Sequence, residues 1–323
     1  MWNIEGHDDA IALLNTSLER GNLAHSYLFV GSKGIGKRSV AVALAQAVNC
    51  LENSKPCGSC RSCVRVSSGL HADLRIVTKR NTVIGIEEVS DLLHDLNLQP
   101  YEGKYRVVIF DEINHTSHDS FNALLKVLEE PPKHVLFVLL TSNLNLVPET
   151  IQSRCQTIFF HPVSNNMLLK KLREAGVENE TAQEIIRIAH GRIREALEIA
   201  SDPTILESRY EKLQSLMALR NQSLATRIAF AEQMAKDFSQ NRDLVLSDLA
   251  LWIEGWRFLL LSAAGISRET IGRGIPEKAL NYQLSDILGF LEKLMSTTAA
   301  LHQNVNPRLA LESLLMAIPQ EKQ

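Results

Sequence analysis

Strand-like and helix-like patterns of apolar residues alternate along residues 1–161 of this chain. Continuous apolar runs predict buried strands, and apolar residues at spacings of three and four predict amphipathic helices between them. The predicted strands are Tyr27–Val30, Asp73–Thr78, Tyr105–Phe110, Val135–Leu140 and Gln156–Phe160. The predicted helices are Ile4–Arg20, Val40–Asn49, Ile86–Leu98 and Ser117–Glu130. Such alternation is typical of a parallel sheet with helices on both faces.

The pattern becomes helical beyond Pro162. A three-helix unit is predicted at Asn165–Ala175, Glu180–Ala189 and Arg192–Ala200. After a boundary at Asp202-Pro203, nearly every segment has helical spacing, with turns predicted near Asn221, Asn241, Gly274-Ile275-Pro276 and 304–307. Trp252 and Trp256 are four residues apart, which predicts that both pack in the helical core. The sequence thus predicts an α/β domain at 1–161, a three-helix domain at 162–203 and an all-α domain at 204–323.

Composition and charge limit the classes of function. The chain has 323 residues, of which 45% are hydrophobic and 22% charged, as in ordinary globular proteins. A formal net charge of -3 and a pI near 6.4 argue against a protein that wraps nucleic acid with its whole surface. No run reaches the roughly 18 apolar residues that span a bilayer, and the first residues do not have the pattern of a secretion signal. We therefore expect a cytoplasmic location.

A glycine-rich segment follows the first predicted strand. Residues 31–39 read Gly-Ser-Lys-Gly-Ile-Gly-Lys-Arg-Ser, close to the P-loop pattern G-x-x-x-x-G-K-[ST]. Gly31, Gly34 and Gly36 allow the backbone N–H groups to converge on a phosphate, and Lys37 would supply a full charge. The nucleotide expected for such a loop is ATP or ADP. The alternative is a glycine-rich turn that binds no ligand.

One residue departs from the P-loop pattern. Arg38 stands where Ser or Thr would hold magnesium. Ser39 follows, but one step along a helix rotates a side chain by roughly 100°, so its hydroxyl cannot simply replace the missing ligand. Either the loop binds phosphate without normal metal-assisted hydrolysis, or it no longer binds nucleotide.

Acidic and polar residues follow the third and fourth predicted strands. Asp111 and Glu112 come directly after an apolar strand, which is the Walker B arrangement of a magnesium-holding Asp and a water-orienting Glu. Ser142 follows the next strand, where its side chain could reach a γ-phosphate. Acidic residues also begin loops and cap helices, so this pair indicates a nucleotide site only because a P-loop precedes it. Because ligands bind at the carboxyl ends of parallel strands, the sequence predicts one site at this edge.

Four of the five cysteines lie within fourteen residues: Cys50, Cys57, Cys60 and Cys63. Two overlapping C-x-x-C hooks and a fourth thiol suit one tetrahedral zinc ion. Four thiolates would close its coordination shell, so the predicted zinc site is structural and has no place for His71 as a fifth ligand. Free buried thiols are the alternative. A sequence-reading zinc finger is a further hypothesis, weakened because no basic recognition helix follows the cysteines.

Further short segments occur after the P-loop and the cysteines in a definite order. They are Asp-Glu (111–112), Leu-Glu-Glu-Pro-Pro (128–132), Ser-Arg-Cys (153–155), His-Gly-Arg-Ile-Arg-Glu-Ala-Leu (190–197) and Asn-Val-Asn-Pro-Arg-Leu-Ala-Leu-Glu (304–312). This series resembles the bacterial clamp loaders, an AAA+ family, over essentially the whole chain. The resemblance implies a P-loop sheet with a zinc module (50–63), a small helical lid and a C-terminal helical collar that holds a ring of subunits together.

The resemblance also implies partners. Clamp loaders of this family are rings of five subunits that open the sliding clamp and place it on primer-template DNA for DNA polymerase III. The expected partners are gamma/tau-like motor subunits and a delta-like clamp-opening subunit, together with the clamp and DNA; no membrane is involved.

Three residues match functional positions of that family. Arg154 of Ser-Arg-Cys would be an arginine finger that reaches the ATP site of an adjacent subunit, whereas the residues alone favour a solvated loop arginine. Arg194 matches the sensor 2 arginine and Ser142 the sensor 1 position. Arg38 departs from the ATP-hydrolysing gamma/tau member of the family and is similar to its non-hydrolysing member, so the first hypothesis is a non-hydrolysing subunit that acts through Arg154. The second hypothesis is an ATPase that uses Lys37, Asp111 and Glu112 itself.

Overall fold

The computed structural model describes residues 2, 4, 6–78, 83–96, 98–265, 282–303 and 305–319. The chain divides into two compact units, Met1–Glu198 and Ile199–Gln323. A separate three-helix domain at 162–203 stays a prediction. The turn predicted at Gly274-Ile275-Pro276 and residue Asn304 of the last motif lie outside the described residues.

A parallel sheet forms the centre of the first unit. Its described strands are β1 Ser26–Val30, β2 Leu74–Val77, β3 Arg106–Phe110, β4 Val135–Thr141 and β5 Gln156–Phe159. They lie in the order β2-β3-β4-β1-β5, and every neighbouring pair is parallel. The register places Val30 beside Thr141 on one side and Phe159 on the other. The predicted parallel α/β sheet is confirmed.

Alternate residues of each central strand enter two separate hydrophobic cores. In β1, Tyr27 and Phe29 pack on one face of the sheet, whereas Leu28 and Val30 pack on the other. The three central strands β3, β4 and β1 are buried on both faces, which is why their sequences are apolar without interruption.

Helices cover both faces of this sheet. The described helices that begin in the first unit are α1 Asp8–Glu19, α2 Lys37–Asn49, α3 Arg61–Ser67, α4 Ile86–Asp95, α5 His118–Glu129, α6 Glu149–Gln152, α7 Asn165–Glu174, α8 Asn179–Ala189 and α9 Ile193–Ser201. The side chain of Ser117 caps α5 by accepting a hydrogen bond from the Ser120 N–H, and Pro131 follows soon after its end. The three helices predicted after Pro162 are present as α7, α8 and α9.

The described part of the second unit is helical. Its helices are α10 Pro203–Ala218, α11 Leu224–Gln240, α12 Arg242–Ala263, α13 Leu284–His302 and α14 Pro307–Met316. Trp252 and Trp256 are fully buried and contact Phe290 with ring centroids 5.4 and 4.6 Å apart, which confirms their predicted place in the core. Of the described helices, none combines the length and apolar composition needed to cross a bilayer.

Candidate nucleotide and metal sites

The glycine-rich loop connects β1 to α2, and its conformation requires glycine at three positions. A Cβ on Gly31 would lie 2.7 Å from the carbonyl oxygen of Phe160, closer than real Cβ contacts allow. Gly34 and Gly36 have φ angles of 79° and 115°, which side chains other than glycine rarely adopt. Lys37 is the first residue of α2, so the positive end of the helix dipole faces the loop. Strand, glycine-rich turn and helix lie in the predicted order.

Lys37 is turned back onto its own loop. Its Nζ atom donates hydrogen bonds to the carbonyl oxygens of Gly31 at 2.6 Å and Ser32 at 3.2 Å, and it lies 3.5 Å from Glu112 Oε1. The lysine is only 5% exposed. Burial lowers the pKa of Lys37, and the nearby carboxylates of Glu112 and Asp111 offset part of that effect. The ammonium group is therefore held at the phosphate-facing end of the loop by groups of this chain.

Arg38 contacts the carboxylate that the Walker B pattern assigns to magnesium. Its Nη1 atom lies 3.0 Å from Asp111 Oδ2, in a partly exposed ion pair. Ser39 is exposed, and its hydroxyl makes no hydrogen bond within the part of the chain that the structure describes. The structure thus brings Arg38, rather than a hydroxyl group, to Asp111.

Glu112 and Ser142 meet at the ends of β3 and β4. Ser142 donates two hydrogen bonds to Glu112 Oε2, from Oγ at 2.7 Å and from the backbone N–H at 3.2 Å. Glu112 has φ of 62°, a left-handed conformation that is uncommon outside glycine and often marks a functional site. Its carboxylate is therefore held between Lys37 and Ser142. The residues predicted to meet at this sheet edge do so, because the adjacent strands β1, β3 and β4 all end there.

His7 was not anticipated as part of this region. Its Nε2 atom lies 2.9 Å from the carbonyl oxygen of Ile35, and because a carbonyl only accepts, that nitrogen carries the proton. The imidazole also lies against Gly36, where a Cβ would come within 3.3 Å of Nε2. The two residues are 28 positions apart, and the local spacing of apolar and polar residues does not predict a contact over that distance.

The four clustered cysteines converge on one point. Their sulfur atoms all lie within 4.8 Å of one another, and Cys57 Sγ is 3.9 Å from Cys63 Sγ. Four thiolates bound to one zinc ion at about 2.3 Å would lie about 3.8 Å apart, so the arrangement fits a tetrahedral ion. Backbone N–H groups of Cys60 and Ser59 lower the pKa of Cys57 to about 6, which favours its thiolate form, whereas burial raises the pKa of Cys63. The cluster can hold a metal ion.

Buried hydrogen bonds attach the cysteine segment to the sheet. His71, which is 3% exposed, lies 3.2 Å from the Ser62 hydroxyl through Nε2 and accepts the Asp73 N–H through Nδ1. Asp73 in turn accepts three backbone hydrogen bonds from residues 101–103. His71 thus binds protein groups on both sides of its ring, and it does not belong to the four-sulfur cluster.

Arg154 lies in the loop between α6 and β5. Its Nη2 atom is 2.5 Å from Glu129 Oε1, and its Nη1 donates to the Thr150 carbonyl at 2.8 Å. The side chain is 33% exposed. Arg194 lies on α9, is 59% exposed and pairs with Glu198 at 2.9 Å. Neither arginine forms a hydrogen bond or ion pair with the Lys37 and Asp111 groups within the described residues.

Comparison with known proteins agrees with the order of motifs. Residues 6–174 match the family described as DNA polymerase III, delta subunit. The chain is 28% identical over 311 residues to DNA polymerase III subunit delta' of Bacillus subtilis (strain 168), covering 95% of this chain and 94% of that protein. It is 34% identical over 205 residues to DNA polymerase III subunit tau of Escherichia coli (strain K12), covering 61% of this chain but 32% of tau. The chain thus spans about a third of the length of that tau subunit.

Among solved structures, a DNA polymerase III gamma subunit-related protein from Thermotoga maritima is similar to this chain. The two are 18% identical with a TM-score of 0.45, and the match covers 94% of this chain and 97% of that one.

Proposed function

This chain belongs to the family of DNA polymerase III delta subunits, and we propose that it acts as a delta-prime-like subunit of the bacterial clamp loader. In this role it takes part in placing the sliding clamp on primed DNA, in the cytoplasm. It hydrolyses no ATP itself and lends Arg154 to the ATP site of a neighbouring motor subunit. The family match and the similarity to the B. subtilis delta' subunit along nearly the full length support this assignment.

One observation carries the proposal that the chain is not itself the motor. The Arg38 guanidinium lies 3.0 Å from the Asp111 carboxylate, the group that would hold magnesium. A guanidinium has only donors and stays charged, so it cannot serve as a metal ligand, and its charge repels a second cation. Magnesium-assisted attack on a γ-phosphate therefore lacks both the hydroxyl ligand of the P-loop and a free Asp111 carboxylate.

Arg154 is the group proposed to act on a neighbour's ATP. A fixed guanidinium stabilises the charge that develops on a transferring phosphoryl group, an effect of about 10³ to 10⁵ in rate in GTPases. Arg154 is partly exposed, at the end of the loop that leads into β5, as a residue acting across a subunit interface must be. Ser142 and Arg194, the sensor positions, then have no hydrolysis to assist in this chain.

The cysteine cluster and the helical second unit have structural roles in this proposal. Zinc bound by Cys50, Cys57, Cys60 and Cys63 would order residues 50–63. Four thiolates leave no open position for catalysis, so the site would be structural. The helices after residue 203 form the collar that holds the chain in a five-subunit ring with motor and clamp-opening subunits. Contact with the clamp and with primer-template DNA is made by the assembled complex.

An ATPase of the gamma/tau type is the second candidate. It is favoured by the meeting of Lys37, Asp111, Glu112 and Ser142 at one sheet edge and by the 34% identity to E. coli tau. Under this hypothesis, nucleotide displaces the Lys37 and Arg38 contacts and Glu112 orients water.

ATP turnover by the purified chain separates the two candidates. We expect no magnesium-dependent hydrolysis above background, and no difference between the wild type and Lys37→Ala. Hydrolysis that requires magnesium and disappears in Lys37→Ala would show that the chain is itself a motor.

A further inference from the structure

We propose that Glu129 is a positioning residue for Arg154, which holds the guanidinium ready for the ATP site of the neighbouring subunit. The inference rests on the proposed function of Arg154. It gives a role to the Leu-Glu-Glu-Pro-Pro segment (128–132), which the P-loop chemistry leaves unused. That segment and Ser-Arg-Cys (153–155) are distant in the sequence, yet Glu129 Oε1 and Arg154 Nη2 lie 2.5 Å apart.

The backbone of Arg154 is fixed to the centre of the sheet. Ser26, the first residue of β1, is fully buried and donates a hydrogen bond from Oγ to the Arg154 carbonyl oxygen at 2.6 Å. The backbone N–H of Arg154 donates to the Ile151 carbonyl at 3.1 Å. Motion of the guanidinium must therefore come from the side chain, which has many rotamers when nothing holds it.

Three contacts restrict that side chain without using all of its donors. Nη1 donates to the Thr150 carbonyl and, at 3.4 Å, to the Ser153 hydroxyl, and Nη2 donates to Glu129. Arg has five N–H donors, and Nε makes no hydrogen bond among the described residues. The guanidinium is thus oriented while part of its donor set remains free for phosphate oxygens.

The position of Glu129 favours a cation beside it. Glu129 is the last residue of α5, where the helix dipole already places partial negative charge, so an unpaired carboxylate there is unfavourable. Pro131 and Pro132 end the helix directly afterwards and fix where this carboxylate is presented. Because the pair is 33% and 51% exposed, it is weak enough for a phosphate to share or replace.

A double-mutant cycle in the reconstituted complex tests this role. The complex is assembled with the wild-type chain, with Glu129→Ala, with Arg154→Ala or with both substitutions. The Arg154-dependent turnover is the ATP turnover of the wild-type complex minus that of the Arg154→Ala complex. The matched control is Glu130→Ala, because Glu130 is exposed and its carboxylate has no partner within the described residues. Thermal melting and gel filtration verify folding and assembly of each variant.

We expect Glu129→Ala to reduce kcat of the Arg154-dependent turnover about fivefold, as loss of an exposed ion pair allows, with KM for ATP unchanged. In the Arg154→Ala background the same substitution should have no effect, and Glu130→Ala should behave as wild type. A Glu129→Ala effect that persists without Arg154 would mean that Glu129 merely supports the fold. Faster turnover of Glu129→Ala would mean that Glu129 keeps Arg154 away from the neighbouring ATP site. Either result overturns the inference.

The test also separates this inference from the proposed function. If Arg154→Ala slows turnover and Glu129→Ala does not, only the role of Glu129 is wrong. If Arg154→Ala leaves turnover unchanged, Arg154 is not a finger and both statements fall.

Discussion

At the scale of single residues, we expect the charge on Arg38 to keep divalent cations from Asp111. The two side chains form an ion pair at 3.0 Å, with 44% of Arg38 and 26% of Asp111 exposed. A partly exposed pair adds little to stability, typically about 0.2–1 kcal/mol. Its consequence is electrostatic, since it neutralises the carboxylate that would attract a divalent cation. Changing this residue should therefore alter cation binding far more than folding.

Replacing Arg38 with Thr should create magnesium-dependent nucleotide binding. The substitution frees Asp111 and supplies the alcohol that the P-loop pattern places on magnesium. We expect ATP to bind Arg38→Thr about tenfold more tightly with magnesium than with EDTA, measured by titration calorimetry. The wild type should show no such difference.

Arg38→Ala is the matched control for that substitution. It removes the guanidinium without supplying an alcohol, so its magnesium effect should fall between wild type and Arg38→Thr. A wild-type protein that already binds ATP more tightly with magnesium would contradict the role assigned to Arg38.

At the scale of elements, we expect a bound zinc ion to order the four-cysteine segment. It contains one short described helix, α3, which carries Cys63 and packs beside α2. Substituting one ligand, as in Cys60→Ser, should reduce the bound zinc from about one ion per chain to near zero. Because the segment is not part of the sheet, the rest of the first unit should stay folded. Metal analysis and proteolysis within 50–63 measure the two effects.

Cys155 provides the control for that substitution. It lies outside the cluster, and burial raises its pKa to about 11, so its thiol stays protonated. Cys155→Ser should retain a full complement of zinc. A fully folded Cys60→Ser protein with normal metal content would refute the zinc site.

The elements that the sequence predicted well are those set by local patterns. The apolar run at 105–110 predicted a buried strand, and β3 is found at Arg106–Phe110. The first helix was predicted from Ile4 but begins at Asp8, because the pattern of apolar spacing does not mark where a helix starts. The helix α3 was not predicted, since it is only seven residues long and lies among the cysteines. A short helix among clustered cysteines shows little periodicity that a pattern could detect.

The contacts between motifs could not be predicted from local patterns. The motifs identified Lys37, Asp111 and Ser142 as candidate site residues, and the strand order brings these three residues together. Nothing in the sequence indicated that Arg38 reaches Asp111 across 73 residues or that Arg154 reaches Glu129 across 25. Such pairings depend on how strands and loops are arranged in three dimensions, so only the structure reveals them.

At the scale of the whole molecule, the predicted parallel α/β sheet is confirmed by the strand order, and the chain's place among DNA polymerase III subunits is confirmed by the family match. The proposal adds that the helical second unit is the collar of a ring. A collar helix must present apolar residues to a neighbouring subunit while it keeps its own core closed. On α13, Leu284, Leu288 and Met295 are 49%, 45% and 56% exposed. At 3.6 residues per turn these three lie within about 40° on one face.

Placing a charge on this face of α13 should prevent assembly without unfolding the chain. Leu288→Glu introduces a carboxylate where a neighbour's collar helix would pack, and burying an unpaired charge there is costly. We expect loss of co-elution with the motor and delta-like subunits in gel filtration, together with an unchanged far-UV circular dichroism spectrum. Ser296→Glu is the matched control, because Ser296 is exposed on another face of the same helix and should not affect assembly. Normal assembly of Leu288→Glu would exclude this face from the collar contact, because an unpaired carboxylate at residue 288 could not be buried in a subunit interface without a large cost.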